Sequence, residues 1–341
     1  MSKLLAMSRS MGRPVGSVTR PLVRQVASNR YRGGGQAALP ILMYHRVVPE
    51  LDALQPEVPT AATLDTQFRA LADVFNVLPL EDAAQHLYEG TLPARSVCIT
   101  FDDGYADNHS IALPLLLKHR LTATVFVASG FLDGGRMFND TIFEAVRRLP
   151  GGDVDLGWLG LGRCRVGDVV SRRALGLQLA TRIKYLEPDQ RDDACRRLTH
   201  MADSPLPDDL MMRSEQVVDL ARHGVSIGGH TLNHPILSKV PLEVARDEIV
   251  GNHRVLTDLL GRPPACFAYP NGKPTLDYSA AHAEVVREVG YVAAVSTAVG
   301  VATLHAHRFQ MPRFVPNERH GMSFVARMLR MATVRQSATA A

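Results

Sequence analysis

Two short stretches carry side chains on which a hydrolytic reaction could be built. Thr100-Phe101-Asp102-Asp103-Gly104-Tyr105 places adjacent carboxylates at the end of an apolar run, Ser96–Phe101. His230-Thr231-Leu232-Asn233-His234 places two imidazoles, separated by three residues, just after a second run, Val225–Gly229. One carboxylate and two imidazoles form a ligand set for a zinc-like ion with a position left open. The other carboxylate is then free to serve as a base toward water, and ion, water and base are what amide or ester hydrolysis requires. A carboxylate buried at a strand end is costly unless paired or bound to an ion. Either motif alone would read better as a helix-capping aspartate or as a pair of hydrogen-bonded histidines; the two together favour the ion site.

The elements that must position these groups follow from the apolar pattern. β-type runs at 40–47, 96–101, 123–128, 225–229, 265–269, 291–296 and 311–315 alternate with helical patterns. Those patterns lie near 64–75, 81–89, 108–119, 214–223, 241–260, 277–289 and 318–331. Such alternation predicts an α/β fold on a parallel sheet, closed or doubly wound. Residues 131–213 break the alternation and are too long for an ordinary loop. They read as a mostly helical insertion over the mouth of the sheet.

The chain has 341 residues, 46% hydrophobic and 21% charged, which suffices for one large domain with an insertion. No run of about 18 apolar residues predicts a transmembrane helix. Cys98, Cys164, Cys195 and Cys266 show no CxxC spacing, so a reducing compartment is the simpler reading. Residues 1–49 carry eight basic residues and no acid, against an overall net charge of +4. Residues 1–36 therefore read as a basic, flexible leader, with Gly33-Gly34-Gly35 as a hinge. Apolar residues between the arginines offer a second reading, a peripheral contact of residues 1–32 with an anionic membrane. An organelle transit peptide is a third. The basic stretch lacks interleaved aromatics and the remainder is acidic, so nucleic acid is not an expected partner.

The motifs together resemble carbohydrate esterase family 4, the polysaccharide deacetylases with a NodB-homology domain. Besides the two stretches above, Pro40-Ile41-Leu42-Met43-Tyr44-His45 resembles the opening strand of a subgroup with an N-terminal Tyr-His. Leu64-Asp65-Thr66-Gln67-Phe68, Phe267-Ala268-Tyr269-Pro270-Asn271-Gly272 and Met311-Pro312-Arg313-Phe314 resemble further family segments, in the expected order. The resemblance covers roughly residues 39–130 and 214–317. It implies a distorted (β/α)7-type barrel over 37–320, with 131–213 inserted and 321–341 forming a C-terminal helix and tail.

The resemblance also implies roles. Asp103, His230 and His234 would hold a divalent metal ion, zinc first, with cobalt or nickel as alternatives. Asp102 would be the general base. The backbone N–H of Asn271 would face the developing oxyanion. Many relatives orient the base with an arginine in the third motif, where this chain has Phe267-Ala268-Tyr269-Pro270. Arg313 is the candidate replacement, with a surface or salt-bridging arginine as the other reading. No Leu-x-His follows the third motif, so His45 is the expected general acid, with His305 and His307 as alternates. The implied activity is removal of N-acetyl groups from sugars of a polysaccharide or glycan precursor. A deformylase or deacetylase of a lipid-linked sugar at the cytoplasmic membrane face and a non-catalytic glycan-binding homologue are the alternatives. The expected location is cytoplasmic, with peripheral contact at the inner membrane face as the extension.

Overall fold

The computed structural model describes residues 20–334 and 339–340. Seven parallel strands form the centre: β1 (Ile41–Tyr44), β2 (Ser96–Phe101), β3 (Thr124–Val127), β4 (Ser226–Gly229), β5 (Cys266–Ala268), β6 (Ala293–Val299) and β7 (Met311–Arg313). They pair in sequence order. The ring closes where Met43 N–H donates to Phe314 O at 3.0 Å and Phe314 N–H donates to Ile41 O at 3.1 Å. The distorted seven-stranded barrel is thus the observed architecture, and each expected strand is present.

Strand parity sorts the side chains. Ile41, Cys98, Phe126, Ala268, Val295 and Met311 pack together inside the ring. Leu42, Ile99, Val125 and Ile227 face outward into the layer beneath the helices. Residues two apart share a face, so Cys98, Thr100 and Asp102 point inward, as do Met311 and Arg313.

The helices are α1 (Arg20–Arg30), α2 (Ala61–Val74), α3 (Leu80–Tyr88), α4 (Leu113–His119), α5 (Phe138–Arg148), α6 (Val169–Ile183), α7 (Pro188–His200), α8 (Ser214–Arg222), α9 (Leu242–Leu260), α10 (Ala280–Val289) and α11 (Gly321–Met331). Helix α2 shows how sequence sets them. Thr60 caps it by accepting a hydrogen bond from Thr63 N–H at 3.2 Å. Leu64, Phe68 and Leu71 then recur on the buried face. No described helix is long and apolar enough to cross a membrane.

Two expectations need correction. Residues 20–36 are not a loose leader: α1 docks through Val23, Ala27 and Tyr31, all buried in the main core. Arg20 pairs with Asp73, and Arg24 Nε donates to Asp73 O at 2.6 Å, so part of the basic charge is used internally. Gly33 is not a hinge, since a Cβ there would lie 2.6 Å from Leu92 O. Residues 1–19 lie outside the described residues. The insertion holds α5, α6 and α7 and one further unit that is not helical. Its glycine-rich stretch forms an antiparallel hairpin, Gly152–Asp155 with Arg163–Val166. Together with α5, α6 and α7 the hairpin encloses its own apolar core around Ile142, Val146, Val154, Leu179 and Leu198. Met137, just before α5, packs on Tyr105 and Met211 and so anchors this unit beside the carboxylate motif.

Candidate active site

All the chemistry-bearing motifs sit just beyond C-terminal strand ends, where barrels of this type build their sites. Tyr44 pairs with Phe101 in register, so His45 and Asp102 leave the sheet at the same level. The backbone then departs from regular geometry. Asp103, Thr231, His234 and Asn271 all adopt positive φ, at 78°, 65°, 53° and 58°. Such conformations are unfavourable for residues with a Cβ and persist where the surroundings over-determine them. Here they redirect side chains that an extended strand would aim elsewhere.

Asp103 Oδ1 lies 3.2 Å from His230 Nε2 and 3.4 Å from His234 Nε2. The three side chains are buried, and their candidate ligand atoms lie within 4.8 Å of one another. A tetrahedral ion with bonds of about 2.0–2.1 Å has ligand–ligand edges of about 3.3–3.4 Å. The spacing therefore suits a zinc-sized cation. Asp103 Oδ1 is buried without a hydrogen-bond partner, an arrangement that a bound cation would satisfy. Burial pushes the His234 imidazole down to about 3, so it is neutral and its lone pair is available. Burial also lowers His230, but the facing Asp103 outweighs it and the net direction is up. The same pairing, against burial, holds the Asp103 carboxyl below the usual range.

The supporting contacts are specific. His230 Nδ1 lies 2.7 Å from Ala268 O, so Nδ1 donates there and Nε2 is the ring nitrogen that faces Asp103 as the candidate ligand atom. His230 N–H donates to Asn252 Oδ1 at 3.0 Å, and Asn252 Nδ2 donates to Val127 O and Ser129 Oγ. Asn252 is fully buried in α9 and ties the histidine turn to β3. Sequence reading assigned it no role, because a lone asparagine in a helix gives no signal. Gly229 must be glycine, since a Cβ would fall 2.1 Å from Tyr291 Oη and 2.7 Å from Asn252 Oδ1. Thr231 Oγ1 accepts from His234 N–H, and Glu248 accepts two hydrogen bonds from Asn233. The turn between the histidines is thus pinned at both ends.

Asp102 meets Arg313 inside the ring. The guanidinium donates from its two terminal nitrogens to the two carboxylate oxygens, each at 2.7 Å. Arg313 is fully buried and also donates to Ser296 O and Thr100 Oγ1. Burial works against ionisation of Asp102, but the Arg313 charge and hydrogen bonds outweigh it and hold the carboxyl below its ordinary range. Asp102 is therefore an anion at neutral pH with a fixed orientation. A bidentate buried pair should be unforgiving. Arg313→Met is expected to lower stability by about 3–5 kcal/mol, because it strands a buried carboxylate. A denaturant titration showing a loss below about 1 kcal/mol would mean that Asp102 relaxes to water or is protonated instead.

His45 stands at the rim, half exposed, with Nε2 4.0 Å from Asp102 Oδ2. Asn271 lies in a tight turn after β5; Thr297 Oγ1 donates to its carbonyl at 2.8 Å. Its side-chain Nδ2 is buried without a hydrogen-bond partner. His305 and His307 are not part of this cluster. Their loop precedes β7 and packs at the other end of the barrel, where Ala294 N–H donates to Arg308 O and Tyr88 Oη donates to Ala306 O. As alternates for the acid they are ruled out by placement.

Comparison with known proteins agrees with this architecture. The polysaccharide deacetylase family model matches residues 89–155 and 193–294, skipping the middle of the insertion. YxkH of Bacillus subtilis, whose name places it among the polysaccharide deacetylases, is 21% identical over 269 residues. That match covers 78% of this chain and 67% of YxkH. Deacetylase PplD of Streptococcus pyogenes, solved in complex with acetate, shares the fold with a TM-score of 0.58 at 19% identity. It covers 87% of this chain and 99% of PplD. IcaB from Ammonifex degensii gives 0.54 at 17% identity, covering 88% and 99%. Motif order, closed barrel and matched segments converge: the chain belongs to the polysaccharide deacetylase family, and it is a hydrolase of that class.

Proposed function

We propose that the protein is a divalent-cation-dependent N-deacetylase acting on an N-acetylated sugar of a polysaccharide or glycan precursor. The observation that carries this reading is the adjacency of two differently prepared carboxylates. Asp102 is locked and ionised by Arg313, and Asp103 is aimed at two imidazole nitrogens. Asp103, His230 and His234 would hold the ion, most simply zinc. When bound, it would polarise the acetamide carbonyl and make water a competent nucleophile at neutral pH.

The remaining steps fall to the chain's own residues. Asp102 takes a proton from the attacking water; Arg313 keeps it from drifting or protonating early. The turn at Asn271 offers its backbone N–H toward the carbonyl oxygen as charge grows there. His45 passes a proton to the departing amine, which is a very poor leaving group otherwise. Imidazole suits that task because it exchanges protons near neutrality. The acetate found with PplD is the product such a reaction releases.

Acetate release from N-acetylated glycans and lipid-linked sugars, with and without a chelator, tests the reading. Release that a chelator does not reduce would overturn the cation dependence. No release from any of them would overturn the activity itself. His45→Ala is expected to lower turnover of an N-acetyl amide by about 10²–10⁴-fold. Metal content should not change, and the loss should shrink on an activated aryl acetate. Equal losses on both substrates would remove His45 from the role of acid. Contact with a membrane now depends on residues 1–19, since α1 is docked, and vesicle binding by the full chain would test it. The proposal keeps the protein cytoplasmic, which cell fractionation checks.

A further inference from the structure

The His45 ring touches little. Among the described residues its side chain makes no hydrogen bond, and its Nε2 lies 4.0 Å from Asp102 Oδ2. Its position must therefore come from the backbone that carries it, and that backbone is gripped from several directions. Asn108 Nδ2 donates to His45 O at 2.8 Å. Asp107 Oδ1 accepts from Val47 N–H at 3.0 Å. Between these two points Arg46 reaches inward. Its Nε donates to Asp107 Oδ2 at 3.1 Å, and one terminal nitrogen lies 3.7 Å from Asp140 Oδ1. The guanidinium carbon stands 5.2 Å over the Tyr105 ring, two residues beyond Asp103.

Asp140 is the unexpected member. It comes from α5, the first helix of the insertion, and is buried with its Oδ2 lacking any hydrogen-bond partner. A second carboxylate on an arginine already paired with Asp107 is not needed to neutralise it. Burying a carboxylate with half its hydrogen-bonding capacity unused is costly. What Asp140 adds for Arg46 is geometric: an opposite charge 3.7 Å from a terminal nitrogen restrains a guanidinium that Asp107 holds by one side-chain hydrogen bond.

We propose that Asp140 is a positioning residue for the deacetylation step, clamping Arg46 so that the turn after β1 presents His45 to the leaving amine. The inference rests on the reading of His45 as the acid. It makes the insertion part of the catalytic apparatus: anchored by Met137 against Tyr105, α5 sets the acid from outside the barrel.

Substitution of Asp140 should reproduce a fraction of the His45 defect. Asp140→Ala is expected to lower kcat on an N-acetylated oligosaccharide by about 10–100-fold, within the range that acid catalysis supplies. The rate on an activated aryl acetate should stay within about threefold, because that leaving group needs no proton. Asp140→Asn, which keeps an acceptor for Arg46, should fall between wild type and Asp140→Ala. Combined with His45→Ala, the Asp140 change should add nothing further, since both act through one group. Arg46→Lys serves if Asp140→Ala does not fold, because a single ammonium nitrogen lacks the planar fork whose separate nitrogens face Asp107 and Asp140; it should show the same amide-selective loss. Equal losses on amide and ester, or additivity with His45→Ala, would overturn the clamp. If His45→Ala itself shows no amide–ester difference, the acid assignment fails first and the clamp falls with it.

Discussion

His230→Ala and His234→Ala should each strip the protein of bound cation and of activity together. Only Asp103 and one imidazole would remain, and Asp103 is already the sole carboxylate in the cluster. A cation is worth several kcal/mol to hydrolysis, which corresponds to about three orders of magnitude in rate or more. The two variants should differ in stability, however. The His230 ring holds Ala268 O through Nδ1, a bond that alanine removes, whereas His234 Nδ1 has no hydrogen-bond partner and that residue is held through its own backbone. His230→Ala should therefore unfold at lower denaturant than His234→Ala. Metal analysis on the purified variants, beside acetate release, gives the answer. One equivalent of tightly held zinc in the double variant would show that these imidazoles are not ligands.

Asp102→Asn is expected to separate the ion from the chemistry. The cation should remain, because Asp103, His230 and His234 are untouched. Turnover should fall by about 10²–10⁴-fold, since an amide cannot take the water proton. Stability should fall as well. The carboxylate accepts from both terminal nitrogens of Arg313, and an amide in its place would turn an NH2 toward a donor. The rate measurement is therefore made below the onset of unfolding. Near wild-type turnover in a folded, metal-loaded variant would reduce Asp102 to a structural partner of Arg313.

The barrel was legible because its strands are buried on both faces and read as unbroken apolar runs, such as Ser96–Phe101, in which every residue is buried. The two metal-type motifs were legible because they are local. Arg313 could be named only as a candidate, because its partner lies 211 residues away and meets it through ring closure. A period-two count would have strengthened the choice, since it puts Thr100, Asp102 and Arg313 on inward faces of their strands. Three features escaped notice for physical reasons. The hairpin of the insertion buries only Val154 and Val166, so its strands lack alternation strong enough to read. Helix α1 buries just Val23 and Ala27, one turn apart, in a segment whose charge suggests a free arm. Arg46, Asp107 and Asp140 look like ordinary surface charges until burial brings them together.

The closure of the ring also orders events during synthesis. Asp102 emerges from the ribosome about two hundred residues before Arg313, and domains begin to organise from the N-terminal side as they appear. Until the last strand arrives, β1 has an open edge, and the carboxylate that will be sealed inside has no counter-ion. It must stay in contact with water for that interval, because burying it unpaired would cost several kcal/mol. The final strand thus supplies both the missing edge and the missing charge in one step. A chain interrupted before residue 313 is left with a barrel that cannot shut and an Asp102 carboxylate without its counter-ion, so one contact completes both the fold and the setting of that carboxylate.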